Sequence, residues 1–111
     1  MSNISWQEFE NCGIMAGTVI RIEDFPKAKK PAYKLWIDFG PHGIKQSSAQ
    51  LTALYKNEDL INKQVICVTG FPKKKIADFE SEVLTTGFVL ENSDVVLAVP
   101  EKIVPNGSKL A

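Results

Sequence analysis

A chain of 111 residues, 44% hydrophobic and 23% charged, has room for one core and not for two, so residues 1–111 read as a single domain. No apolar run approaches the roughly 20 residues that cross a bilayer, and the start, MSNISWQEFE, lacks the basic opening and apolar centre of a secretory signal. A cytoplasmic protein without membrane insertion is expected. The formal net charge of zero argues against indiscriminate binding to nucleic acid. It hides an asymmetry, because residues 25–75 hold ten lysines against three acids, a net of +7, inside a frame of −7.

Ser5-Trp6-Gln7-Glu8 has the spacing of a capping box and predicts a short helix from Trp6 to Asn11, with Trp6 and Phe9 on one side. A helix this short needs something to pack on, either an open end of a barrel or a second subunit. The run IMAGTVIRIEDF reads as a first strand, with Ile14, Ala16, Thr18, Ile20 and Ile22 on one face, and Met15, Val19 and Arg21 on the other. Gly17 inside it suggests a bulge, and Pro26 ends it.

A lysine-rich loop follows, then a second strand from Ala32 to Phe39, in which Leu35, Ile37 and Phe39 alternate with Lys34, Trp36 and Asp38. Gly40-Pro41-His42-Gly43 turns the chain back into a third strand ending in Gln46-Ser47-Ser48-Ala49. Gln50 to Asp59 reads as helical turns, with Leu51, Leu54 and Tyr55 on one face. Gln64 to Phe71 is a buried, β-branched strand stopped by Pro72. The run Lys73-Lys74-Lys75 comes next, then strands over Ser81–Leu90 and Val95–Val99, and a tail with two prolines that is ordered only if packed down.

Helix, three strands, short helix and further strands make an all-β protein with short helices. The order fits an OB-fold, a five-stranded barrel with an N-terminal helix and an extended C-terminal segment. An SH3-like barrel would lack the helix after the third strand.

Catalysis is poorly supported. His42, the single histidine, lies in a turn, and a nucleophile needs a base in reach. Asp78, Glu80 and Glu82 alternate along one stretch, but like charges on an exposed edge are common. The isolated glycines form no phosphate loop. Cys12 and Cys67 with one histidine cannot build a zinc site, so neither metal nor cofactor is expected, and Cys67 reads as core. Lysines near a strand edge, with Trp36 and small hydroxyls close by, suit a phosphate-bearing, single-stranded ligand. They suit equally a solvated edge that lysines keep from pairing.

PKAKKPAYKLWIDFG, then GIKQSSAQLT, then LINKQVICVTGFPKKKIADFESEVL, then VPNGSKL together resemble the CsaA secretion chaperones within the tRNA-binding-domain family, from about Phe9 to Leu110. The resemblance implies an OB-fold homodimer with contacts from the N-terminal helix, including Trp6 and Phe9, and from the C-terminal segment. It implies binding of tRNA and of unfolded or exported polypeptides, with the secretion machinery as a further partner, and no cofactor. Carried over, the ligand-facing positions are Lys30, Lys34, Gln46, Ser47, Ser48, Lys73, Lys74, Lys75, Ser81 and Glu82, with Trp36 or Phe71 for stacking. A dedicated tRNA-binding protein without a chaperone role is the alternative. The chain departs from the family pattern at Met15, Gly70 and Asp78, where an arginine, an asparagine and a glycine are usual.

Overall fold

A computed structural model describes residues 2–111. Helix α1 (Trp6–Asn11) forms where its cap predicts: the Glu8 amide donates to Ser5 Oγ at 3.1 Å, and the Ser5 amide donates to the Glu8 carboxylate at 2.9 Å. Six residues are too few to hold a helix alone. The chain after it is pinned by the Gly70 amide, which donates to the Cys12 carbonyl at 2.8 Å. A Cβ at position 70 would stand 2.0 Å from the Asn11 carbonyl oxygen, so no larger side chain has room here.

Strand β1 (Ile14–Asp24) is long enough to serve two neighbours. Its first half pairs with β4 (Gln64–Val68) and its second with β2 (Tyr33–Asp38), which a 3-10 turn at Gly40–His42 joins to β3 (Ile44–Ala49). Adding β7 (Leu84–Thr85) beside β4 gives the sheet order β3-β2-β1-β4-β7. The remaining gap is bridged where the Glu82 and Val83 amides both donate to the Gln46 carbonyl, at 2.8 and 3.3 Å. This is the expected five-stranded OB barrel, with Val19, Leu35, Ile37, Phe39, Leu60, Val65 and Cys67 fully buried inside it.

Three local expectations change. The bulge in β1 falls between Val19 and Arg21, not at Gly17. It inverts the alternation, so Val19 and then Ile22 turn to the core while Ile20 is exposed. Gly17 is instead needed for close approach, since a Cβ there would lie 2.6 Å from Ile37 Cγ2. The helix expected over 50–59 is confined to α2 (Asn57–Leu60). The Tyr55 amide closes one helical turn on the Leu51 carbonyl at 3.1 Å, while Tyr33 Oη donates to the Tyr55 carbonyl at 2.8 Å and the Leu97 amide to Tyr55 Oη at 3.0 Å, so the Tyr55 ring and carbonyl serve the barrel.

The strand expected over 81–90 is broken. Its first residue ends β6 (Phe79–Ser81), which pairs with β5 (Lys74–Ile76). Glu82 and Val83 then turn aside to Gln46, and β8 (Gly87–Val89) leaves the barrel to pair with β9 (Val95–Leu97). The second lysine run therefore leads into a strand and is not a loop. The tail is packed down on its own chain: the Ala16 amide donates to the Ser108 carbonyl at 3.0 Å, and the Leu110 amide donates to the Ile14 carbonyl at 2.9 Å.

Candidate functional site

The β5–β6 hairpin is seated by one buried ring. Phe79 packs edge-on against Phe25 and Trp36, with centroids 5.5 and 5.7 Å away, and Ala28, Ala32 and Ile76 complete a second small core. Lys34 Nζ lies 4.9 Å from the Phe25 ring and 5.3 Å from the Phe79 ring. At the hairpin tip Lys27 Nζ is 2.9 Å from the Asp78 carboxylate. The hydrogen bond to Lys27 holds the Asp78 carboxyl below its ordinary value. A glycine at position 78 could not make this contact.

Gln46 fastens the other side of the hairpin. Trp36 Nε1 donates to its Oε1 at 3.1 Å, and its own Nε2 donates to the Glu80 carbonyl at 2.9 Å. The Gln46 amide donates to Glu82 Oε1 at 3.0 Å, and the Ser48 amide donates to Ser81 Oγ at 3.0 Å. These bonds leave an open groove of about 870 Å³ beside β5. Lys73, Lys74 and Lys75 border it, with Phe71, Ile76, Val83 and Leu84 as apolar lining. Lys73 faces Glu80 and Glu82 at 3.9 and 4.0 Å.

The groove brings together Ser48, Phe71, Lys73, Lys74, Lys75, Ser81 and Glu82 from the residues singled out in the sequence. Others lie elsewhere. Ser47 is fully buried and accepts a 2.8 Å hydrogen bond from Thr85 Oγ1, so it faces the core and not a ligand. The Gln46 side chain is spent between Trp36 and Glu80. Trp36 is only half-buried, but Arg21 covers its ring at 4.4 Å, which leaves Phe71, 56% exposed, as the open aromatic surface. Lys34 is held over two rings, and Lys30 sits on the exposed loop after β1. Sequence reasoning missed Ile76, Val83 and Leu84 in the groove, and the exposed Leu84 gave no signal while 81–90 read as one strand.

Trp6, 78% exposed, stacks edge-on with Phe9 at 6.2 Å and adjoins the exposed Ile4. His42 is exposed in its turn. Burial pushes the Cys67 thiol up to about 12, even though the Thr85 hydroxyl acts against that rise. Among the described residues no three His, Cys, Asp or Glu side chains gather as a metal site, and no helix is long and apolar enough to cross a membrane.

The family model described as "Putative tRNA binding domain" matches residues 14–109. A methionine–tRNA ligase of Pyrococcus furiosus is 32% identical over 99% of this chain, which spans only 15% of that enzyme's length. Among solved structures, the chaperone CsaA of Bacillus anthracis superposes with a TM-score of 0.92 at 45% identity, covering 99% of this chain and 100% of that one. CsaA of Picrophilus torridus gives 0.89 at 44% identity over 98% and 100%. With a family match over nearly its whole length and a barrel that superposes on CsaA, the chain belongs to the tRNA-binding-domain family.

Proposed function

We propose that this chain acts as a homodimeric, chaperone-like protein that binds exposed polypeptide segments and also binds tRNA, using the groove beside β5. One observation carries the reading: a three-lysine rim and an apolar lining share a single open groove. The rim suits phosphates, and the lining of Phe71, Ile76, Val83 and Leu84 suits the apolar side chains of an unfolded chain. Likeness to two CsaA chaperones over nearly the whole chain supports the polypeptide ligand; a role in export is part of the proposal. The exposed Ile4 and Trp6, with the half-buried Phe9 beside them, support dimerisation. Binding rather than catalysis is proposed, because Glu80 and Glu82 face Lys73 and the one histidine lies in a distant turn.

A second reading, a dedicated tRNA-binding protein, is favoured by the segment shared with methionine–tRNA ligases. Anisotropy titrations with bulk tRNA and with reduced, carboxymethylated α-lactalbumin, at about 50 and 200 mM salt, separate the two. The proposal expects tRNA binding that falls steeply with salt and polypeptide binding that persists. Binding of tRNA with no binding of the unfolded polypeptide at either salt would favour the dedicated reading.

A further inference from the structure

The β5–β6 hairpin has two outer edges, and only one is used. Ile76 pairs with Phe79 across the two-residue turn Ala77-Asp78, so these two must exchange both backbone hydrogen bonds. The next pair, Lys75 with Glu80, is then a non-hydrogen-bonded pair, and its peptide groups point away from the hairpin on both sides. On the β6 side the Glu80 carbonyl does point outward and accepts from Gln46 Nε2 at 2.9 Å. On the β5 side, no acceptor among the described residues meets the Lys75 N–H, and β5 has no neighbour but β6. All four residues from Lys73 to Ile76 border the groove. Side chains on a strand alternate in direction, so lining by all three consecutive residues of β5 means that the strand's edge faces the opening.

We infer that the groove captures polypeptide by strand addition: an extended segment pairs its backbone with the free edge of β5 around Lys75. This deepens the proposed polypeptide binding and rests on it. Main-chain pairing asks for no particular sequence, which suits a protein that receives many unfolded segments, while apolar side chains of the guest settle on Phe71, Ile76 and Leu84. Charge selects the guest. Lys74 and Lys75 have no carboxylate within ion-pair distance among the described residues, so neutral or acidic segments are accepted and basic ones repelled. The same lysines oppose pairing between two copies of β5.

The experiment compares Lys75→Ala with Lys75→Pro for binding of a labelled, extended peptide of alternating Glu and Val. Both variants lose the charge, but only proline removes the outward N–H, and an edge strand tolerates proline where the N–H faces solvent. We expect Lys75→Pro to bind about five- to tenfold more weakly than Lys75→Ala, the worth of about one hydrogen bond. A second arm uses the same peptide N-methylated at alternate amides, which should lose binding to the unmodified protein; this arm stands if Lys75→Pro fails to fold. Equal binding by the two variants, or undiminished binding of the N-methylated peptide, overturns strand addition while leaving the groove as a polypeptide site. No binding of the parent peptide or of carboxymethylated α-lactalbumin overturns both. Equal tRNA affinity for the two variants is expected; a selective loss of tRNA by Lys75→Pro, with peptide binding kept, would assign the edge to RNA.

Discussion

Lys27 and Asp78, fifty-one residues apart, meet at 2.9 Å and join the loop after β1 to the tip of the β5–β6 hairpin. Both side chains are more than half exposed, so the contact steers the hairpin more than it stabilises the fold. The Asp78 carboxyl is depressed below its ordinary 3.8 by the hydrogen bond to Lys27 and by that residue's charge. A depressed carboxyl contributes above its unfolded value and loses that contribution as pH falls through the folded one. An NMR titration should give Asp78 a midpoint below 3.8 that rises in Lys27→Ala. A midpoint unmoved by that substitution would contradict the contact.

The two thiols should differ sharply. Cys67 is fully buried with its pKa pushed up to about 12, whereas Cys12 is partly exposed at the end of α1. At pH 8 a thiol reagent should modify one cysteine in the folded protein and two after denaturation. Because the folded Cys67 pKa lies above the unfolded one, its effect on stability is full below the ordinary thiol range and declines as pH climbs towards 12. Two fast-reacting thiols in the native protein would contradict this burial.

Ser47→Ala should separate fold from function. It removes the buried acceptor of the Thr85 hydroxyl, at a cost of about 1–3 kcal/mol measured by denaturant unfolding. Affinity for tRNA or polypeptide should not change. Phe71→Ala should do the reverse, weakening ligand binding with little change in stability, because the ring is exposed and lines the groove. Reduced affinity in Ser47→Ala at full occupancy of the native state would return Ser47 to the ligand site.

The difference between neighbours such as Ser47 and Ser48 marks the limit of what the chain revealed. Alternation made Leu35, Ile37 and Phe39 legible as core, the apolar run did the same for Cys67, and the capping box made α1 legible, because these signals are local. The facing of β1 was not legible, since a bulge at Ile20 reverses the parity without a glycine to mark it. Nor was the loss of Trp36 as a stacking surface, because Arg21 covers it across a strand pair that only the register creates. Lys73, Lys74 and Lys75 were visible as charge. Their place beside an apolar lining depended on Glu82 and Val83 leaving the strand for Gln46, a contact spanning 36 residues.

Dimerisation is expected to rest on the exposed Trp6 and Ile4 and the half-buried Phe9 beside them. Sedimentation of Trp6→Ala combined with Phe9→Ala should shift the protein towards monomer. A double variant that stays dimeric would locate the contact elsewhere, with the exposed Phe88, Val89 and Val96 of the β8–β9 hairpin the next surface to test.

The most direct test of the groove replaces Lys73, Lys74 and Lys75 together with alanine and follows bulk tRNA by fluorescence anisotropy. All three residues are exposed, so the variant should fold with unchanged thermal stability. The account predicts that affinity at about 50 mM salt falls by an order of magnitude or more, and that the slope of log affinity against log salt shrinks by about two to three. Unchanged affinity and an unchanged slope would contradict it, and would move the tRNA contact to Lys27, Lys29 and Lys30 on the loop after β1.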